Sequence, residues 1–138
     1  MTASLEGVRV LLVEDEYLVA SLIEEMLEIA GCIVTGPIPR LAQAVDAADR
    51  ETCDAAVLDV NLAGERIYPV ADILSRRNIP FVFVTGYGVL PGEYANRPRL
   101  CKPFKMADLL DTLSDIVKTA RLQAIRPEFA ILEDPDAH

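Results

Sequence analysis

Short apolar segments alternate along this chain with longer segments in which apolar residues recur at helical spacing. The short segments are bounded by glycine, proline or acidic residues, and most of them are apolar at nearly every position. Such runs are typical of parallel strands that are covered on both faces, because both sets of side chains are then buried. The pattern predicts five strands, at 8–13, 33–35, 55–58, 81–84 and 100–101.

Stripes of apolar residues at spacing three or four predict helices between the strands and after the last one. They lie within 18–27, 41–48, 70–74 and 106–120, and Gly31 follows the first as a stop signal. Strands that alternate with helices form βαβ units with right-handed crossovers. The predicted fold class is therefore α/β, with a doubly wound parallel sheet and helices on both faces.

The segment from Gly86 to Pro98 is a poor helix candidate. It holds three glycines and two prolines in thirteen residues, and both residue types disfavour helix interiors. We therefore expect the fourth helix to be short, irregular or missing. After Arg121 the helical periodicity fades, so we predict one domain at 1–121 and an acidic tail at 122–138, with no output domain.

Composition and charge narrow the range of functions. The 138 residues, 51% of them hydrophobic, suffice for one domain with a sizeable core but not for a two-domain enzyme. The net charge of −9 disfavours binding to nucleic acid or to an anionic membrane surface. No apolar run approaches the length of a bilayer span, and the N-terminus shows no signal peptide. Cys32, Cys53 and Cys101 fit reduced core residues, so we expect a cytoplasmic protein.

Polar residues follow four of the five predicted strands. Glu14, Asp15 and Glu16 follow the first strand, Asp59 the third, Thr85 the fourth and Lys102 the fifth. Each of them alone has an ordinary interpretation, such as a helix N-cap or a solvated charge. Because the carboxyl ends of parallel strands meet at one edge of a sheet, the set as a whole predicts a single site.

The residue types in this set suit a hard cation and a phosphoryl group. Glu14, Asp15 and Asp59 repel one another unless a cation lies among them, and oxygen ligands with open positions suit Mg²⁺. An aspartate beside such a metal can attack a phosphoryl group. Thr85 can donate a hydrogen bond to a phosphoryl oxygen, and Lys102 can neutralise another. We expect the carboxylates of Asp15 and Asp59 to lie close enough to share one ion.

With these residues in place, the chain resembles the response-regulator receiver domains of two-component signalling. The resemblance covers nearly the whole chain, from Val8 to Arg121. It is carried by VLLVEDE at 10–16, VLDVN at 57–61, FVFVTGY at 81–87 and CKPF at 101–104. It implies a flavodoxin-like five-stranded sheet in the order 2-1-3-4-5.

The resemblance also implies roles for individual residues. Glu14 and Asp15 resemble the acidic metal pair, Asp59 the phosphoacceptor and metal ligand, Asn61 the residue whose main-chain carbonyl binds Mg²⁺, Thr85 the switch hydroxyl, and Lys102 the phosphate-binding lysine. Pro103 resembles the proline that follows this lysine, often through a cis bond, and is a candidate cis-proline here.

One position departs from the pattern of this family. The usual switch aromatic lies three residues before the lysine, where this chain has Arg99. The T-G-Y-G run at 85–88 resembles a subgroup of mostly stand-alone receivers in which the fourth helix tends to be reduced. The candidates for the missing aromatic are Tyr87 and Tyr94.

Three functions compete at this point. The first is a switch, not an enzyme, that accepts a phosphoryl group on Asp59 from a separate histidine kinase or histidine phosphotransfer protein, since the chain's only histidine is His138. Its output is then another protein, or it acts as a phosphate sink or shuttle. The second is a small Mg²⁺ phosphatase of the haloacid-dehalogenase type, but D-V-N at 59–61 lacks the second aspartate of that family. The third is an interaction module that is never phosphorylated, which intact Asp59, Thr85 and Lys102 argue against.

Overall fold

The structure is a computed structural model that describes residues 4–86 and 90–125. Its strands are β1 (Arg9–Val13), β2 (Ile33–Ile38), β3 (Ala55–Asp59), β4 (Asn61–Leu62), β5 (Glu65–Arg66), β6 (Phe81–Thr85) and β7 (Arg99–Cys101). Its helices are α1 (Tyr17–Ile29), α2 (Leu41–Arg50), α3 (Tyr68–Arg76) and α4 (Met106–Ile125), with a 3₁₀ turn at Gly92–Tyr94.

Five of the strands form one parallel sheet in the order β2-β1-β3-β6-β7. Because β4 and β5 form a separate antiparallel pair, the strands of the main sheet follow the predicted order 2-1-3-4-5, and the predicted fold is confirmed. β3 and β6 are buried along their whole length, which accounts for their continuous apolar sequences. The strand order reverses between β1 and β3, where a doubly wound sheet opens a crevice at the carboxyl ends of its strands.

Helices cover both faces of this sheet. α2 and α3 bury Ala44, Ala48 and Leu74 against one face. α1 and α4 bury Leu27 and Leu113 against the other. Each fully buried leucine contributes about 1.5–3 kcal/mol to the stability of the fold. Apolar packing on both faces holds the central strands, and with them the residues at their carboxyl ends, in fixed relative positions.

The first helix has two adjacent rows of apolar residues, one with Leu18 and Leu22 and the other with Ile23 and Leu27, and it buries only the second row. Ile23 and Leu27 are buried, whereas Leu18 is 80% exposed and Leu22 is 52% exposed. Periodicity identifies the helix, but two adjacent apolar rows do not tell which of them faces the sheet. The structure shows that the row of Ile23 and Leu27 packs against the sheet.

The second strand is longer than the sequence predicts. It continues past Thr35 to Ile38, with an irregular register opposite β1, because the Glu14 N–H donates a hydrogen bond of 3.1 Å to the Ile38 carbonyl. Within this irregular stretch Gly36 has a φ of +114°, and a Cβ atom there would lie 2.4 Å from the Leu12 carbonyl oxygen. Glycine therefore lets β2 approach the end of β1 this closely.

The fourth crossover contains little helix in the residues that the structure describes. Only the 3₁₀ turn at Gly92–Tyr94 forms there, in agreement with the glycines and prolines of this segment. The last helix continues past Arg121 to Ile125, because L-Q-A-I at 122–125 extends it without being buried. Residues 126–138, the remainder of the predicted tail, lie outside the described residues.

Two further features of the described residues bear on the sequence predictions. None of the helices found there is both long and apolar enough to cross a bilayer. Cys32 and Cys53 are buried, as expected of core residues, but Cys101 is exposed. The prediction for Cys101 is wrong because β7 is the edge strand of the sheet and is covered less than the strands inside it.

Candidate functional site

Three carboxylates meet where β1 and β3 end side by side. Glu14 and Asp15 follow β1, and Asp59 is the last residue of β3. One oxygen of each side chain lies within 4.8 Å of an oxygen of the other two. Glu14 is 2% exposed and Asp59 is 6% exposed. The strand order thus brings together acidic residues from two distant segments of the sequence, as predicted.

A lysine from the last strand end completes the cluster. The Lys102 Nζ atom lies 3.0 Å from Glu14 Oε1, 3.7 Å from Asp59 Oδ2 and 3.7 Å from Glu16 Oε1. The Lys102 N–H donates a hydrogen bond of 2.8 Å to the main-chain carbonyl of Thr85, which fixes the lysine beside the buried end of β6. The bond between Lys102 and Pro103 is a cis peptide bond.

The electrostatics of this cluster reflect a surplus of buried negative charge. Burial, together with the hydrogen bond and the repulsion from Glu14, raises the pKa of Asp59 to about 8, although Lys102 acts in the opposite direction. Burial alone lowers the pKa of Lys102, but the hydrogen bond to Glu14 and the surrounding carboxylates outweigh it, so that its pKa is raised. A cation among the carboxylates relieves their mutual repulsion.

Main-chain donors hold the carboxylates in orientation. The Asn61 N–H donates to Asp59 Oδ1 at 3.3 Å, and the Ala63 N–H donates to Asp15 Oδ2 at 3.0 Å. The Glu16 N–H donates to Glu14 Oε2 at 3.2 Å. The first and third of these bonds lie within the segments that follow β3 and β1, and the bond from Ala63 to Asp15 joins the two segments. Together they reduce the number of arrangements that each carboxylate can adopt.

The donor set fits Mg²⁺. The three candidate side-chain donors are carboxylates, whose hard oxygen atoms are the ligands that Mg²⁺ prefers, and the raised pKa of Asp59 shows that Lys102 alone does not offset their negative charge. A cleft of about 280 Å³ opens beside it, large enough for a phosphoryl group and waters. The residues that line the cleft are Glu16, Asp59, Val60, Asn61, Arg66, Thr85, Gly86 and Lys102.

The aromatic residue Tyr94 lies in the core rather than at the surface. It is 4% exposed, stacks on Tyr68 with ring centroids 4.9 Å apart, and meets Phe83 edge-on at 5.5 Å. Its hydroxyl donates a hydrogen bond to Asp72 on α3. Through Phe83, two residues before Thr85, this cluster adjoins the strand that ends in the predicted switch hydroxyl.

The other positions connected with the aromatic switch give a different picture. Arg99, where the aromatic is expected, is exposed on the edge strand. Tyr87, the second candidate, lies outside the described residues. The role of Tyr94 as the replacement stays a prediction.

Two features of the site are not predicted from the sequence. The first is the short β4–β5 hairpin directly after Asp59, for which the only sequence signal is a Gly64 flanked by polar and apolar residues. The second is Arg66, which this hairpin brings to the cleft seven positions after Asp59. Neither follows from strand-end counting, because the hairpin lies outside the main sheet.

Comparison with known proteins gives the same result from an independent direction. A family model described as the response regulator receiver domain matches residues 10–114. A search of curated proteins finds no matching sequence.

Solved structures with the same fold include receiver domains. The receiver domain of the sensor histidine kinase PA1611 from Pseudomonas aeruginosa PAO1, solved with a magnesium ion coordinated in its active site cleft, is 29% identical, with a TM-score of 0.72 over 81% of this chain and 98% of that chain. SdrG from Sphingomonas melonis Fr1 is 37% identical, with a TM-score of 0.72 over 83% of this chain and 98% of that chain. A CheY-like receiver domain protein from Methanospirillum hungatei JF-1 is 19% identical and shows the fold alone, with a TM-score of 0.76 over 86% of this chain and 99% of that chain.

Proposed function

The chain belongs to the response regulator receiver domain family of two-component systems, and we propose that it is a phosphoacceptor switch that takes a phosphoryl group onto Asp59 with the help of Mg²⁺. One observation carries this proposal. The carboxylates of Glu14, Asp15 and Asp59, of which Glu14 and Asp59 are buried and Asp15 is half-buried, meet at the switch point of the sheet, with Lys102 among them and a cleft open to solvent beside Asp59.

The residues of the cluster divide the work of phosphoryl transfer. A carboxylate oxygen of Asp59 attacks the phosphorus atom, the P–N bond to the donor imidazole breaks, and its electron pair stays with the imidazole nitrogen. Thr85 donates a hydrogen bond to one phosphoryl oxygen, and the Lys102 ammonium neutralises charge on another. When bound by Asp15, Asp59 and the main-chain carbonyl of Asn61, with Glu14 beside them, Mg²⁺ supplies further neutralisation of the phosphoryl oxygens.

The donor in this proposal is a separate protein that carries a phosphohistidine. Histidine kinases and histidine phosphotransfer proteins have this chemistry, and the similar receiver domain of PA1611 is part of a sensor histidine kinase. Such a donor acts in the cytoplasm, where we propose that this domain works. We expect the protein not to turn over a substrate, since Asn61 stands where a phosphatase of the haloacid-dehalogenase type needs a second aspartate.

A small-molecule phosphodonor tests this function without knowledge of the partner. The protein is incubated with acetyl phosphate and Mg²⁺, and intact mass spectrometry follows the product. We expect a single phosphoryl adduct that requires Mg²⁺ and is absent from Asp59→Asn. Asp46→Asn is the matched control, because Asp46 forms an exposed ion pair with Arg50 on α2.

Two results contradict the proposal. One is an adduct that forms equally in Asp59→Asn, which would place the phosphoryl group elsewhere. The other is sustained release of nitrophenol from p-nitrophenyl phosphate over many turnovers, which would identify a phosphatase instead.

A further inference from the structure

A second cation lines the cleft in which the phosphoryl group is proposed to bind. Arg66, the last residue of β5, shares this cleft with Asp59, Thr85 and Lys102. Arg66 itself is exposed, so that its guanidinium remains accessible to a ligand that enters from solvent. None of the functional roles assigned above requires this residue.

The position of Arg66 is set by a compact hairpin rather than by a long loop. β4 and β5 pair with Asn61 opposite Arg66. The two residues between the strands, Ala63 and Gly64, have φ values of 52° and 87°, as in the tight two-residue turns that join antiparallel strands. The pairing therefore places Arg66 beside Asn61, two residues after the phosphoacceptor.

The hairpin is hydrogen-bonded to the acidic cluster at its turn and is closed by a main-chain hydrogen bond at its base. At its turn, the Ala63 N–H donates to Asp15 Oδ2 at 3.0 Å. At its base, the Ile67 N–H donates to the Val60 carbonyl at 3.1 Å, and Ile67 is fully buried. These contacts fix the backbone that carries Arg66 relative to Asp59, so the arginine is held beside the site rather than on a free loop.

The charge balance of the cleft leaves a role for a second cation. The Lys102 ammonium is already shared among Glu14, Asp59 and Glu16, at 3.0, 3.7 and 3.7 Å. Phosphorylation adds negative charge at Asp59 and three acceptor oxygens. An exposed arginine in the lining of the cleft offers several donors in a planar fork that matches phosphoryl oxygens.

We propose that Arg66 is a phosphoryl-binding residue of this receiver domain, which contacts the oxygens of the transferring group from the hairpin side of the cleft. This inference rests on the proposed function, and it adds a residue that sets the rate of phosphoryl transfer. Arg66 stabilises the phosphoryl oxygens as the Asp59 carboxylate attacks phosphorus. In the reaction with acetyl phosphate the P–O bond to acetate breaks, and acetate leaves with its electron pair.

The test measures the rate of phosphorylation of the full chain by acetyl phosphate in Mg²⁺, together with the affinity for beryllofluoride as a phosphoryl mimic. For Arg66→Gln we expect both the phosphorylation rate and the beryllofluoride affinity to fall about three- to ten-fold at low salt, since an exposed charge-assisted contact stabilises a bound group by about this factor. Arg66→Lys keeps the charge but loses the fork, so it should recover part of the loss. The difference between wild type and Arg66→Gln should shrink at high ionic strength, because salt screens exposed charges.

Arg76→Gln is the matched control for net charge. Arg76 is the last residue of α3, at the end of the helix away from Arg66, and it does not line the cleft. We expect acetyl phosphate to phosphorylate the Arg76→Gln variant at the wild-type rate. Equal rates and affinities for Arg66→Gln and wild type would overturn the inference, and so would an equal loss in Arg76→Gln. If the wild-type protein itself forms no adduct on Asp59, the proposed function fails, which is a separate outcome from the failure of Arg66.

Discussion

Replacing the phosphoacceptor by its neutral isostere should stabilise the metal-free protein at neutral and higher pH. Asp59 is 6% exposed and lies against Glu14 and Asp15, so its ionised form is desolvated and repelled in the folded state. The unfolded chain has neither cost. Asp59→Asn removes the charge while it keeps the shape of the side chain and its capacity to accept a hydrogen bond.

The size of the effect follows from the distances in the cluster. With an effective dielectric constant of about 20, a repulsion across 4.8 Å, the upper limit of the oxygen–oxygen separations in the cluster, is about 3.5 kcal/mol, and Asp59 has two such neighbours. Its attraction to Lys102 across 3.7 Å offsets about 4.5 kcal/mol of this. The remainder, together with the lower desolvation cost of an amide, leads us to expect a gain of about 3 kcal/mol. For a chain of this length that corresponds to a rise in Tm of about 10 °C.

The pH dependence of this gain has a definite sign. The pKa of Asp59 is about 8 in the folded protein and 3.8 for an ordinary aspartate, so between these values the folded state holds a proton that the unfolded state has lost. The free energy of unfolding of the metal-free protein therefore falls as the pH rises from about 4 to about 8. Asp59→Asn lacks this contribution, and its advantage should be small near pH 4 and largest near pH 8.

Thermal unfolding followed by circular dichroism measures both dependences. The two proteins are compared in EDTA at pH 5 and pH 8, and again in about 10 mM Mg²⁺, where binding to the native state should raise the Tm of the wild type more than that of the variant. Asp46→Asn, at an exposed ion pair, controls for the change in net charge. The reasoning is refuted if Asp59→Asn is no more stable than wild type in EDTA at pH 8, or if its advantage is independent of pH and Mg²⁺.

Three further substitutions test the contacts that support the site. Lys102→Met leaves the Glu14 carboxylate buried without its ion-pair partner and should lower the free energy of unfolding by about 3 kcal/mol. Gly36→Ala places a Cβ atom 2.4 Å from a main-chain oxygen of β1 at a φ of +114°, and should cost at least about 2 kcal/mol. Tyr94→Phe removes the hydrogen bond to Asp72 but keeps the ring stacking, and should cost about 1 kcal/mol. Urea unfolding measures all three.

Each of these substitutions has a counterpart at an exposed or open position. Lys105→Met changes an exposed lysine, and Tyr17→Phe changes a tyrosine that is 80% exposed. Gly64→Ala has a similar φ, +87°, but nothing within 4 Å of the added Cβ, so it isolates the cost of the backbone conformation from that of the collision. Variants of Lys102, Gly36 or Tyr94 that are as stable as their counterparts would show that the contact in question contributes nothing.

Much of the fold and the polar residues of the cluster could be predicted from the sequence, because both depend on which residues form a strand and which residues directly follow it. Strands buried on both faces must be apolar throughout, so 55–58 and 81–84 stand out without any knowledge of the fold. Parallel strands present their carboxyl ends at one edge of the sheet, so Asp59 and Lys102 could be assigned to one site although they lie 43 residues apart in the sequence. The glycines and prolines of 86–98 likewise exclude a regular helix by their own backbone preferences.

The tertiary structure alone decided what depends on the packing of one element against another. Two adjacent apolar rows on α1 are equivalent in the sequence, and only the packing of the helix against the sheet buries Ile23 and leaves Leu22 exposed. The ion pairs of Lys102 with three carboxylates depend on distances between side chains, and residue spacing along the sequence does not specify these distances. Arg66 reaches the cleft because a tight turn reverses the chain shortly after Asp59. Ala63, in this turn, donates a hydrogen bond to Asp15, which lies 48 positions earlier in the sequence. This contact exists only when β1 and β3 lie side by side.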